Sequence, residues 1–170
     1  YILILLTAHF IIKEKERPSP PPKTRFAVII PAHNEELLLA RLLQSINKQH
    51  YPLRLFKAIV IADNCTDNTA KIGKESGALV LERFDNTYRG KGYAIKYALE
   101  NININEYDSI FIVDADSVLD GDVLKELDRL IQQGKTAIQC YNGVFNHDDS
   151  WFTRMLDVSR TISNEIVHPA

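Results

Sequence analysis

The stretch "IFIVDADSVLDGD", residues 110–122, decides how this chain folds and what it could hold. Residues 110–113 are all apolar, and Asp114 and Asp116 follow with one alanine between them. Such a run reads as a buried strand, so the two carboxylates stand where that strand ends. Two carboxylates side by side repel, and burying them bare is costly. A divalent cation removes that cost. Mg²⁺ and Mn²⁺ prefer oxygen ligands and are commonly shared between one or two carboxylates and a phosphate. Asp114 and Asp116 are therefore candidate metal ligands, with Mg²⁺ or Mn²⁺ as the expected cofactor. The plainer alternative is that Asp114 ends the strand and Asp116 caps a turn before Gly121.

Outward from this stretch, strand-length apolar runs recur. They are "RFAVIIPA" (25–32), "LFKAIVIA" (55–62), "ALVLE" (78–82), "YDSIFIVDAD" (107–116) and "TAIQCY" (136–141). Helical patterns lie between them. Residues 35–48 place Leu38, Leu39, Leu42, Leu43 and Ile46 on one face, and residues 92–104 repeat Ala94, Ile95, Ala98, Leu99 and Ile102. Residues 66–76 open with Thr66 and Asp67 as capping candidates and close before Gly77. Residues 122–133 carry Val123, Leu124, Leu127, Leu130 and Ile131. Strand and helix in alternation predict an α/β fold, a mostly parallel sheet with helices on both faces and right-handed crossovers.

In open α/β sheets ligands bind beyond the carboxyl ends of the strands, so a site is expected at those ends. The first ends in "PAHNEE", where Pro31 stops the ladder and Asn34 and Glu35 begin a helix. Asn34 acting only as an N-cap is the simpler reading there. The second ends in "ADNCTDNTA", where the Asp63 carboxylate could accept from a base N–H, while Asp67 or Thr66 caps the next helix. The third is followed by "FDNTYRGKGYA", in which Arg89, Lys91, two glycines and a helix start would all attract an anion. No Walker A or GxGxxG pattern is present. A base acceptor, a cationic turn and an acidic pair at successive strand ends together describe a nucleoside-diphosphate site.

A net charge of −2 excludes the basic excess of a nucleic-acid binder. Cys65 and Cys140 form no CxxC pair, which argues against a zinc site or disulfide framework; both read as small core residues. Residues 1–12, "YILILLTAHFII", are apolar but shorter than the about 20 residues of a membrane span. They are read as the end of a truncated transmembrane helix. Residues 13–25 carry Lys13, Lys15, Arg17, Lys23 and Arg25 against Glu14 and Glu16, with Pro18 and Pro20 to Pro22. They read as a basic, extended linker on the cytoplasmic side. The soluble domain is expected over 26–170. Its last segment carries an apolar stripe of Trp151, Met155, Val158, Ile162 and Ile166, read as core or as an interfacial helix.

Over about residues 26–160 these motifs resemble family 2 glycosyltransferases of the GT-A fold, in particular membrane-associated members related to cellulose and hyaluronan synthases. "VIIPAHNEE" is similar to the family's opening motif, which implies a nucleoside pocket at Pro31, Ala32, Asn34 and Glu35. "VIADNCTDNTA" resembles its "DDGSTDGT" motif, with Asp63 matching the carboxylate on the uracil ring, Asn64 beside it, and Ala62 in place of the first aspartate. "RGKGYAIKYAL" implies Lys91 and Gly92 near the diphosphate. "DAD" resembles the DxD motif, which implies Asp114 and Ala115 near the ribose or metal and Asp116 as metal ligand. The resemblance implies a UDP-sugar donor, a glycan or lipid acceptor, inverting transfer, and a catalytic domain at the cytoplasmic side of the cell membrane. The expected base lies in a downstream motif, so none is assigned; Asp148 and Asp149 read better as a cap before Trp151. Two rivals remain. "IVDADSVLDGD" also resembles the nucleophile motif of haloacid-dehalogenase-like phosphatases, with Asp114 as nucleophile and Asp116 as acid/base. A non-catalytic nucleotide-sugar-binding module is the other.

Overall fold

The computed structural model describes residues 20–140. Four strands form one parallel sheet: β1 (Phe26–Ala32), β2 (Phe56–Asp63), β3 (Leu79–Arg83) and β4 (Ser109–Ile112), in the order β3-β2-β1-β4. Four helices connect or follow them: α1 (Leu39–Asn47), α2 (Thr69–Glu75), α3 (Lys91–Asn101) and α4 (Val123–Gln132). The central strand β1 alternates its side chains between two cores. Phe26, Val28 and Ile30 face α1 and α4, packing with Leu39, Leu42, Leu43, Ile46, Leu124 and Leu127. Ala27 and Ile29 face the other way, joining Ile59 and Ile61 of β2 and the small residues Ala94 and Ala98 of α3. This is the expected layering, with helices on both faces of a parallel sheet.

Several boundaries differ from the sequence expectation. The helix expected from residue 35 is assigned only from Leu39; its first turn is a turn closed by Leu39 N–H on Glu35 C=O (3.0 Å), and the otherwise unpaired N–H groups of Glu35 and Glu36 donate to Thr69 Oγ1 (2.8 Å) and Asp67 Oδ2 (3.1 Å). The strand expected over 107–116 is assigned only over Ser109–Ile112. One further bond, Val113 N–H to Ile29 C=O at 3.1 Å, precedes the turn that carries Asp114 and Asp116. β4 is also not apolar-covered on both faces: Ile110 and Ile112 are 41% and 43% exposed. The strand expected over 136–141 does not form in 136–140. Ile138 and Cys140 pack against the core, residues 135–138 line a cavity together with Ser109, Ile110 and Phe111, and among the described residues β4 pairs only with β1. The apolar segment 1–12, most of the linker, Asp148, Asp149 and the stripe from Trp151 to Ile166 lie outside the described residues. Among the described residues no helix is long and apolar enough to cross a membrane.

The end of the proline-rich segment is packed rather than free. Thr24 is 3% exposed, and its N–H (3.2 Å) and hydroxyl both donate to Asp128 Oδ1 on α4. Tyr51 donates its hydroxyl to the Thr24 carbonyl at 2.9 Å, and burial together with the nearby Asp128 charge pushes the Tyr51 phenol up to about 12. The packed domain thus begins at about Thr24, two residues before the first strand.

Arg25 forks onto Asp108, with Nε and Nη2 at 3.0 and 2.8 Å and the Arg25 N–H at 2.9 Å. These bonds hold the Asp108 carboxyl down at about 2. A carboxyl lowered in the folded state adds stability that is fully present above its unfolded pKa, near 4, and is lost as pH falls through 2. Because both side chains are nearly half exposed, solvent screens the pair and the contribution is modest. Asp108→Asn is expected to flatten the acid-unfolding curve between pH 4 and 2 while leaving stability differences constant from pH 5 to 7. Equal slopes for both proteins below pH 4 would contradict this.

Candidate active site

The carboxyl ends of β1 and β2 and the start of α3 enclose an open cleft of about 420 Å³. It is lined by Pro31, Ala32, His33, Glu35, Asp63, Asn64, Arg89, Gly90, Lys91 and Ala94. Seven side-chain-bearing residues singled out from the sequence thus meet here: Pro31, Ala32, Glu35, Asp63, Asn64, Arg89 and Lys91. Asn34 does not line the cleft, nor does it cap a helix. It takes a left-handed φ of 57° and accepts from Thr66 N–H at 2.8 Å, tying the end of β1 to the loop after β2. Asp67 is the structural residue expected: it accepts from Thr69 N–H (3.0 Å) and Glu36 N–H (3.1 Å). Gly92 is exposed one residue into α3 and lies outside the cleft lining. Ala115 is 4% exposed and its side chain belongs to the core rather than the cleft, because the turn points Asp114 and Asp116 outward on either side of it.

Asp63 ends β2 and is 6% exposed, an expensive place for a carboxylate without a partner. Its partner is Arg83, which the sequence reading missed. The register sets Asp63 opposite Arg83 at the end of the neighbouring strand, and Arg83 Nη1 lies 2.6 Å from Asp63 Oδ1. Arg83 is itself held by Asp85 Oδ2 at 3.0 Å and by the Tyr88 carbonyl. The N–H groups of Tyr88 and Thr87 close on Asp85 and hold its carboxyl below the usual range. Asn64, at φ 51°, completes the network: Nδ2 donates to Asp63 Oδ1 (3.0 Å) and Asp85 C=O (3.1 Å), and Oδ1 accepts from Asp85 N–H (2.9 Å). His33 Nδ1 donates to the Asp63 carbonyl at 2.7 Å. Cys65 is half-buried beside Asn34, not a core residue, and burial raises its thiol pKa.

On the opposite wall the network fixes the loop that delivers the cations. Gly90 precedes α3 at φ +109°, a conformation that a residue with a Cβ rarely adopts, and Lys91 begins the helix. Lys91 Nζ meets Asp114 Oδ1 at 2.5 Å, so the start of α3 is in direct contact with the turn that follows β4. Asp116 is exposed and makes no hydrogen bond or ion pair with any described residue. Among the described residues no group of three or more His, Cys, Asp or Glu side chains could hold a metal ion. Asp114 and Asp116 offer hard oxygen donors two residues apart. They fit Mg²⁺ or Mn²⁺ as part of a coordination shell that phosphate oxygens would complete.

Residues 21–163 match the family described as "Glycosyltransferase like family 2". A 4,4'-diaponeurosporenoate glycosyltransferase of Staphylococcus haemolyticus is 33% identical over 128 residues, covering 70% of this chain and 32% of that protein. Among solved structures, the mannosyltransferase PcManGT of Pyrobaculum calidifontis, in complex with GDP-Man and Mn²⁺, superposes with a TM-score of 0.59 at 22% identity, over 89% of this chain and 45% of that one. S. aureus TarS in complex with UDP-GlcNAc gives 0.57 at 23% identity, over 72% and 38%. At these identities the likeness establishes the shared GT-A fold. The chain spans about a quarter to a third of the length of the curated relatives it matches.

Proposed function

Since the chain belongs to the glycosyltransferase-like family 2, we propose that its cleft binds the nucleoside diphosphate of a UDP-sugar and serves transfer of that sugar to a glycan or lipid acceptor. One observation carries this reading: Asp63 and Lys91 line one cleft, and Lys91 reaches the Asp114 carboxylate at its rim. The end of β2, the start of α3 and the turn after β4 are therefore neighbours in space. Asp63 would receive the base and Lys91 the diphosphate. The first turn of α3 adds unpaired N–H groups that favour an anion. Asp114 and Asp116 would hold Mg²⁺ or Mn²⁺, which supplies charge neutralisation for the diphosphate as it leaves. On binding, Lys91 exchanges one anion, Asp114, for another. The acceptor hydroxyl would attack the anomeric carbon from the face opposite the diphosphate, inverting the centre, and a carboxylate base outside the residues identified would take its proton. The phosphatase alternative has no support in the family match. Attachment to the cytoplasmic face of a membrane through residues 1–25 belongs to the same proposal, supported by the basic flank beside an apolar run.

Calorimetric titration of the chain with UDP, first in Mn²⁺ and then in EDTA, tests the reading. Saturable binding that weakens at least about tenfold in EDTA is expected. A folded chain that binds UDP in neither buffer would remove the proposal.

A further inference from the structure

We infer that Arg83 sets the choice of base, restricting Asp63 to a single hydrogen-bond acceptor so that the cleft takes a uracil nucleotide and rejects a guanine one. The inference rests on the nucleotide-binding reading above and goes beyond it, because the fold itself accommodates more than one base: the two similar structures hold a UDP-sugar and a GDP-sugar.

An ionised carboxylate has two oxygens, each able to accept two hydrogen bonds. Asp63 Oδ1 is filled, by Arg83 Nη1 at 2.6 Å and Asn64 Nδ2 at 3.0 Å. Asp63 Oδ2 accepts from no described residue, and Asp63 lines the cleft. One oxygen is therefore left for a ligand. Uracil presents a single imide N–H between two carbonyls, which one oxygen satisfies. Guanine presents N1–H and the N2 amino group side by side, a pair that matches both oxygens of a free carboxylate. A single free oxygen cannot lie along two parallel N–H bonds, so against Asp63 with Oδ1 taken guanine keeps one well-aligned bond and one bent, weakened one, and the site discriminates against it. Cytosine presents a ring-nitrogen acceptor beside its amino group and would set lone pair against lone pair.

The clamp cannot swing away to admit a second donor. Arg83 is 7% exposed and fixed on its far side by Asp85 and the Tyr88 carbonyl, and Asn64 is held at both ends of its amide by Asp85. Arg83 thus acts through Asp63, as a positioning residue.

The test is the ratio of affinities for UDP and GDP, with CDP as a third probe, measured by calorimetry in Mn²⁺ on the chain and on Arg83→Met and Asn64→Gly. The chain is expected to prefer UDP over GDP by about tenfold to a hundredfold. Arg83→Met, which empties one position on Oδ1, is expected to lower that ratio at least about tenfold. Asn64→Gly keeps the ion pair and suits the left-handed backbone, yet frees the other Oδ1 position; its ratio should fall about threefold. A merely structural role for Arg83 would weaken both nucleotides together and leave the ratio unchanged, which overturns the inference. If Arg83→Met does not fold, an unchanged ratio in Asn64→Gly does the same. Equal affinity of the unaltered chain for UDP and GDP also overturns it, while leaving nucleotide binding intact. Binding of no nucleotide at all would overturn the proposed function and this inference with it.

Discussion

Asp116→Ala is expected to reduce UDP binding in Mn²⁺ to the level seen in EDTA while leaving the melting temperature unchanged. Asp116 is exposed and makes no hydrogen bond or ion pair with any described residue, so the fold loses nothing when it is truncated. Surface changes of that kind stay within about 0.5 kcal/mol. Its value lies in what it offers a ligand. Without it the diphosphate would approach Asp114 with one protein carboxylate for the cation instead of two, and the exchange of Lys91 from Asp114 to the diphosphate would leave that carboxylate facing the ligand. Losing a metal that bridges two anions removes several kcal/mol, so the drop should be on the order of a hundredfold. Calorimetry in the two buffers, with a melting curve on the same sample, separates the outcomes. A folded Asp116→Ala chain that binds UDP with unaltered, metal-dependent affinity would take the DxD pair out of the site.

The contrast between Asp116 and Arg83 shows which parts of this site were legible in the sequence. Asp63, Lys91 and Asp114 could be read locally. Each follows an apolar run or a glycine turn directly, and in a parallel sheet all such ends lie on one edge. The layering was legible for the same reason: Val28 and Ile30 against Ala27 and Ile29 is a period of two. Arg83 could not be read that way. In "VLERF" it is one more strand-end charge, and its meaning comes from the register that sets it opposite Asp63. The signal was a cation ending one strand and an anion ending the next. The partners of the turn before α1 were hidden for a similar reason, since the N–H groups of Glu35 and Glu36 are taken by Thr69 and Asp67 more than thirty residues along the chain. The segment 136–140 looks like a strand by composition, but a strand needs a neighbour in register, and composition does not supply one.

That non-local pairing gives Asp63→Ala two separable effects. The first is on stability. Removing the carboxylate leaves the Arg83 guanidinium, 7% exposed, with Asp85 as its remaining counter-ion, and that acid is one-third exposed. Breaking a buried ion pair from one side costs about 3–5 kcal/mol. The share that Asp85 can compensate brings the expected loss toward the lower figure, read as a shift in the denaturant midpoint at unchanged slope. The second effect is on recognition. A base that loses its acceptor weakens a nucleotide but not a bare diphosphate, so UDP affinity should fall at least about tenfold while pyrophosphate affinity stays within about twofold. Asp63→Asn divides the two effects further. It keeps the side-chain volume, yet its amide can present a donor where the base needs an acceptor, so stability should recover in part and UDP affinity should not. Equal losses for UDP and pyrophosphate in folded Asp63→Ala would mean that Asp63 shapes the cleft through Arg83 alone and meets no base, and the base pocket would then have to be sought elsewhere along the cleft lining.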